Sequence, residues 1–112
     1  MKKFVAVYFA PHEALDEMMK SATPERQQEM MGAWQAWMEK HKASFVDQGA
    51  PLGKSKRVSA SGAEDVRNDI NGYSVVEADS HEEAAKIFMD NPQLQMPGAY
   101  VEVLEWITMP GM

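Results

Sequence analysis

Two tryptophans and a few carboxylate, phenol and imidazole side chains are the groups in this chain that could hold or transform a ligand. Trp34 and Trp37 are three positions apart, so on a helix they are neighbours on one face. A pair of indoles can stack on a flat molecule, and each indole offers one N–H donor. Aromatic residues at this spacing more often pack a helix onto a sheet, so a substrate-binding role and a packing role both remain open.

Asp47 follows the same predicted helix and precedes Gly49, Pro51 and Gly53. As a catalytic residue it would be a general base or a hydrogen-bond acceptor, with its pKa raised if it is buried. The glycines would let the backbone approach a ligand closely. As a structural residue Asp47 would accept backbone N–H bonds in a turn. The sequence favours neither role.

Glu102 is the second candidate for a catalytic carboxylate. It interrupts the predicted last strand and shares one face with Tyr100, Leu104 and Trp106. A carboxylate among aromatic side chains has a shifted pKa and suits acid–base catalysis. A charge on an edge strand also prevents aggregation, so this structural role is the alternative.

Tyr8, Tyr73 and His12 are further candidates for contacts with a substrate. The two tyrosines lie on the predicted first and third strands and could add phenol groups to the same cavity, although either could simply pack. His12 lies in the loop after the first strand, without an evident partner. The three histidines form no metal-binding pair, cysteine is absent, and no phosphate-binding or dinucleotide-binding fingerprint occurs. We therefore expect neither a metal nor a cofactor.

Length, charge and composition narrow the class of protein. The length of 112 residues predicts a single domain, residues 1–112. The net charge of −6 disfavours nucleic acid or an anionic membrane as a partner. No apolar run approaches the roughly 20 residues of a membrane-spanning helix. The absence of cysteine suits a reducing compartment, so we expect a cytoplasmic protein.

Hydrophobic periodicity divides the chain into strands and helices. Residues 4–9 are apolar on both strand faces, which is typical of a strand covered on both sides. Thr23 before Pro24 predicts a helix N-cap, and Ser80 with Glu83 predicts a capping box. The predicted elements are a strand at 4–9, a helix from 24 to about 45, a weak strand at 55–60, a polar loop or hairpin tip at 61–72, a strand at 72–78, a helix at 80–91 and a strand at 99–107.

The order strand, helix, strand, strand, helix, strand predicts an α+β fold of the ferredoxin-like βαββαβ type, with an antiparallel sheet. The helices of this fold cover one sheet face only. Because the first and last strands are apolar on both faces, we expect a second copy of the sheet to cover the other face. The sequence therefore predicts a homodimer with two sheets face to face.

Three segments carry a resemblance to a known family: "AWQAWMEKHKASFVDQGAPLGKSKRVS", "NGYSVVEADSHEEAAKIFMDNPQLQ" and "PGAYVEVLEW". In order and spacing they resemble the YCII-related family, in the branch near the DGPF-type proteins. The resemblance implies a ferredoxin-like subunit that pairs into a dimeric α/β barrel. It also implies that most such proteins lack an assigned function, and that a few act as lyase-type or dehydrochlorinase-type enzymes on small ring compounds.

The chain departs from this family at the residues that would do chemistry. In the YciI-like branch a histidine on the first helix is the suspected catalytic group, paired with an aspartate. The corresponding stretch here is "GAWQAW", and His41 lies a turn or more further on. The segment "SGAEDVRND" stands in place of the DGPF tetrapeptide. A histidine-based mechanism therefore does not carry over to these positions.

Two hypotheses of different class follow for the function. In the first, Asp47 or Glu102 moves a proton on a small, cyclic organic molecule held against Trp34 and Trp37, in a lyase-like reaction. In the second, the protein is a non-catalytic ligand-binding or assembly protein.

Overall fold

The runs of β-branched and aromatic residues that predict strands form the centre of one sheet, and the capped segments form helices against it. The computed structural model describes residues 1–110. In chain order its elements are β1 (Lys2–Phe9), α1 (His12–Ser21), α2 (Pro24–Lys40), β2 (Phe45–Pro51), β3 (Ser55–Ser59), β4 (Gly62–Val66), β5 (Ile70–Ala78), α3 (His81–Ile87) and β6 (Tyr100–Glu105), with short 3₁₀ turns at Lys42–Ser44 and Pro92–Gln95.

The four-stranded sheet has the order β2-β5-β1-β6, and every neighbouring pair is antiparallel. The first strand is central, and its register places Val7 opposite Tyr73 on β5 and opposite Glu102 on β6. This is the ferredoxin-like arrangement, so the predicted α+β fold class is confirmed. Strands β3 and β4 form a separate two-stranded hairpin.

The predicted second strand was placed in the wrong segment. The helix predicted to reach residue 45 ends at Lys40, and Phe45–Pro51 forms the edge strand β2. The weak strand predicted at 55–60 is β3 of the hairpin, and the hairpin alternative for 61–72 is confirmed by β4. Periodicity missed β2 because it contains Gly49 and ends in proline, which an edge strand tolerates.

The helix caps follow the sequence prediction closely. The Thr23 hydroxyl accepts a hydrogen bond from the backbone N–H of Arg26, and the Ser80 hydroxyl accepts one from that of Glu83. The predicted capping box is half formed, because the Glu83 carboxylate accepts a hydrogen bond from Lys86 instead of reaching back to the cap.

The hydrophobic core lies between one sheet face, α3 and the C-terminal part of α2. Its largest members are Phe4, Tyr8, Trp37, Val76, Ile87 and Phe88. The other sheet face is apolar along β1 but carries Asp47 and Glu102 on other strands, and within residues 1–110 no helix covers it. It carries Val5, Val7, Phe9, Tyr100 and Leu104, of which Tyr100 and Leu104 keep 46% and 47% of their surface exposed. Within residues 1–110, no helix is both long and apolar enough to cross a membrane.

Candidate functional site

A cleft of about 950 Å³ lies between the helix side of the sheet and helices α1 and α2. It exists because these helices make little contact with the sheet. Helix α1 has no buried residue, and α2 buries only Trp37, near its C-terminal end. The radius of gyration is accordingly 15.8 Å, against the roughly 13 Å expected for a compact domain of this length.

Methionine side chains form much of the cleft wall. Five of the ten methionines of the chain line the cleft: Met18, Met30, Met31, Met38 and Met96. The methionine side chain is unbranched and its sulfur is polarisable, so it adapts to ligands of different shape and makes favourable contacts with aromatic rings. This wall suits an apolar, ring-containing molecule.

Tyr8 and Trp34 meet in the interior of the cleft. Their rings are edge to face, with centroids 5.7 Å apart at an angle of 89°. Tyr8 is only 5% exposed, and its hydroxyl lies 2.8 Å from Ser74 Oγ. Burial raises the pKa of Tyr8 above 10.0, and the hydrogen bond with Ser74 offsets part of that rise. At neutral pH the phenol is therefore protonated and able to donate.

Two amide side chains supply further polar groups to the cleft. The Asn71 amide nitrogen donates to the Gln93 side-chain oxygen over 3.2 Å, and the Gln93 amide nitrogen donates to the Phe9 carbonyl over 3.0 Å. Asn91 caps the 3₁₀ turn by accepting from the Gln93 N–H, which holds Gln93 in its buried position. Among the described residues that line the cleft, the charged ones are Glu39 and Lys42, and both are exposed.

The structure separates the two predicted tryptophans. Trp34 lines the cleft, whereas Trp37 is 4% exposed and belongs to the core. The Trp37 indole N–H donates to the Ile87 carbonyl over 3.2 Å and to the Asp90 carboxylate over 3.1 Å. Trp37 therefore takes the packing role, because its one donor is already satisfied inside the protein.

Asp47 and Glu102 lie on the sheet face that points away from the cleft. Asp47 is on strand β2, not in the predicted loop, and one carboxylate oxygen accepts from the Gly49 N–H over 2.8 Å. The other accepts from the Tyr73 hydroxyl over 3.2 Å, and the negative charge of Asp47 raises the pKa of Tyr73. Glu102 is exposed and faces Val7 across the ladder. Neither carboxylate lines the cleft.

Tyr73 and His12 occupy the margins of the site. Tyr73 contributes to the cleft wall, but its side chain leaves the opposite sheet face, since it alternates with the inward-facing Ser74. His12 begins α1 outside the cleft, and its Nδ1 lies 3.1 Å from Asp69 Oδ1. No sequence pattern indicated this partner, which lies 57 positions away. Residues 1–110 contain no cluster of His, Cys, Asp and Glu suited to a metal.

Several residues of the cleft were not predicted from the sequence. Strand alternation could have found Ser74, which lies on the same sheet face as the buried Val76. No sequence pattern indicated Asn71 or Gln93, because their pairing depends on the path of the chain after α3. The ten methionines in 112 residues are a high count, but no pattern in their spacing indicated a shared cleft wall.

Together the fold and the cleft define a ferredoxin-like α+β protein with a largely apolar cleft beneath its helices. No family model and no curated protein sequence matches the chain. Among solved structures it is similar to 5-chloro-2-hydroxyhydroquinone dehydrochlorinase from Burkholderia phenoliruptrix, in complex with 2,5-dihydroxybenzoquinone. The TM-score is 0.54 at 17% identity, covering 96% of this chain and 95% of that chain. This likeness is one of fold.

Proposed function

We propose that the cleft binds a ring-containing organic molecule, held against Trp34 and the methionine side chains. The observation that carries this proposal is an apolar cleft of about 950 Å³ with an indole and a buried phenol in its interior. Concave, mostly apolar sites with a few convergent polar groups are typical of small-molecule binding. The similar dehydrochlorinase is in complex with a quinone, which supports a cyclic ligand.

Native mass spectrometry of freshly purified protein, followed by titration with the molecule it retains, tests this proposal. Trp34→Leu should weaken binding at least about tenfold, because a buried aromatic contact contributes more than 1 kcal/mol. The matched control is Trp106→Leu, at an exposed tryptophan outside the cleft. Equal affinity for the wild type and the Trp34 variant would contradict the proposal.

A lyase-like acid–base reaction in the same cleft is the second candidate. It is favoured by the buried Tyr8 phenol, which stays protonated at neutral pH and can donate a hydrogen bond to a negative charge that develops on the ligand, and by the dehydrochlorinase activity of the similar structure. Asp47 and Glu102 lie on the other sheet face, so this proposal gives neither of them a part in the reaction. Tyr8→Phe should abolish turnover while the ligand still binds, and Asp47→Asn and Glu102→Gln should leave turnover unchanged. Full activity of the Tyr8 variant would eliminate this mechanism.

We also propose that the subunit forms a homodimer through the open sheet face. Val5, Val7, Phe9 and Leu104 form a contiguous apolar surface there, and the stacked rings of Phe9 and Tyr100 extend it. Face-to-face packing of two sheets is a common way to bury such a surface. The cleft lies on the other side of the sheet, so each subunit would keep its own site accessible.

A further inference from the structure

We infer that the part of the ligand held in the cleft is electrically neutral and has two or three rings, with a hydrogen-bonding end toward Tyr8 and an apolar body along the methionines. This inference rests on the proposed function of the cleft and adds the size, charge and orientation of its ligand. It differs from the single-ring compound in the similar dehydrochlorinase. Three properties of the cleft carry it.

The volume of the cleft exceeds what one ring fills. Small-molecule sites span roughly 300 to 1,000 Å³, and this one is near the upper end at about 950 Å³. A single substituted ring would leave most of the apolar wall in contact with water. Two or three rings would bury it.

The charge distribution excludes an ionised group from the interior. The charged residues among the described lining, Glu39 and Lys42, are exposed, and the interior contributes hydroxyl, amide and indole groups. Moving a carboxylate or an ammonium group to that depth would leave it without a counter-charge, which is strongly unfavourable. The part of the ligand that enters the cleft is therefore neutral.

The hydrogen bonds around Tyr8 set the orientation. The Ser74 hydroxyl has one proton and two neighbouring acceptors, the Gln48 carbonyl at 2.9 Å and the Tyr8 oxygen at 2.8 Å. When Ser74 donates to Tyr8, the Tyr8 proton is free to bond an oxygen of a ligand. When Ser74 donates to Gln48, the Tyr8 oxygen can accept from a ligand hydroxyl. The site accordingly accepts a phenol, quinone or ketone oxygen at this end.

Isothermal titration calorimetry at neutral pH with phenol, 2-naphthol and 2-naphthoate tests the inferred size and charge of the ligand together. We expect 2-naphthol to bind at least about tenfold more tightly than phenol, because the second ring buries additional apolar surface. We also expect 2-naphthol to bind at least about tenfold more tightly than 2-naphthoate, because the carboxylate of 2-naphthoate needs a counter-charge and the hydroxyl of 2-naphthol does not. Phenol or 2-naphthoate binding as tightly as 2-naphthol would overturn the inference.

A pair of methionine variants locates the bound probe. Met30→Trp fills part of the cleft and should reduce the affinity for 2-naphthol, whereas Met89→Trp, at a 75% exposed position outside the cleft, should not. Equal effects of the two variants would place the probe elsewhere and overturn the inference. If phenol binds best and Met30→Trp removes that binding, the proposed function stands and only the inferred size of the ligand is wrong.

Discussion

At the scale of single residues, Tyr8 connects the core to the cleft. Its ring packs edge to face against Trp34 and Phe88, and its hydroxyl bonds Ser74. Because burial raises the pKa of Tyr8 above 10.0, the folded state favours the protonated phenol. This contribution to stability is fully present below the unfolded pKa and is lost as the pH rises through the folded pKa.

Tyr8→Phe therefore makes stability less sensitive to alkaline pH. The wild type should lose more stability than the variant between about pH 9 and about pH 11, since only the wild type must keep a buried phenol protonated. At neutral pH the variant should be less stable by about 1 kcal/mol, because it loses one buried hydrogen bond. Thermal melts across this range measure both effects, and parallel alkaline profiles would contradict the assignment.

Asp90 is the residue whose ionisation affects stability at acidic pH. Its carboxylate lies against the C-terminal end of α2. Hydrogen bonds from Lys40 and His41, of which that from Lys40 has the largest effect, lower the pKa of Asp90 from 3.8 to about 2. The contribution of Asp90 to stability is thus present above pH 3.8 and lost as the pH falls through about 2. The pair is exposed to water, so its contribution is below about 1 kcal/mol.

Asp90→Asn should accordingly lower the urea midpoint at about pH 6 and have little effect at about pH 2, where the wild-type carboxylate is being protonated. Added salt should shrink the difference at the higher pH by screening the charges. An equal destabilisation at both pH values would show that Asp90 acts through packing and not through its charge.

At the scale of elements, Gly49 determines how strand β2 joins the sheet. Its backbone has φ of 80°, and a Cβ built there would lie 1.6 Å from the Tyr73 carbonyl oxygen. The register of β2 against β5 shifts on both sides of Asp47, so the strand approaches its neighbour through irregular pairing. Only glycine allows this approach without moving one strand away from the other.

Gly49→Ala should destabilise the protein by at least about 3 kcal/mol, because the edge strand must detach or shift. Gly32→Ala is the matched control, since Gly32 lies within α2 with nothing within 4 Å of the added Cβ. This change should stabilise the protein by about 0.5 to 1 kcal/mol through a better helix propensity. Chemical denaturation compares the two, and similar effects of both would contradict the role of Gly49.

The elements also show which parts of the fold the sequence predicts. Strands β1 and β5 are nearly continuous apolar runs, and the caps at Thr23 and Ser80 mark two helix starts, so local patterns were sufficient. Strand β2 was missed because an edge strand exposed to water needs no apolar pattern. Its pairing depends on contacts with β5, which the pattern of its own residues does not indicate.

The candidate site was less predictable than the fold, for a physical reason. Tyr8 and Trp34 were found because they are aromatic and lie on strongly patterned elements. Asn71 and Gln93 come together only through tertiary structure. Asp47 was considered as a catalytic residue because of the glycines that follow it, whereas its carboxylate accepts a hydrogen bond from the Gly49 N–H. Which sheet face a polar residue takes depends on register, and the bulges of β2 obscure that register.

At the scale of the whole molecule, the proposed homodimer has the open sheet face as its interface. Leu104→Asp places a second carboxylate beside Glu102 in the proposed interface and should shift the protein from dimer to monomer, because burying a charge in an apolar contact is strongly unfavourable. Folding should be retained, since Leu104 is 47% exposed in the single chain. Met89→Asp, at a 75% exposed position away from this face, is the control.

Light scattering at micromolar concentration distinguishes the two states. The wild type and the Met89 variant should scatter with twice the 12.6 kDa mass of one chain, and the Leu104 variant with that mass alone. A wild type that scatters as a single chain would contradict the dimer.

The weak packing of α1 and α2 has a consequence for the proposed binding of a ligand. The cleft occupies the place where a denser protein of this size would have the rest of its core, so a molecule bound as proposed would act as a missing part of the interior. Binding stabilises the folded state by about 2.7 kcal/mol at a hundredfold excess over the dissociation constant. Under the proposed function, the melting temperature would therefore report occupancy, and the ligand-free protein would be the less stable form.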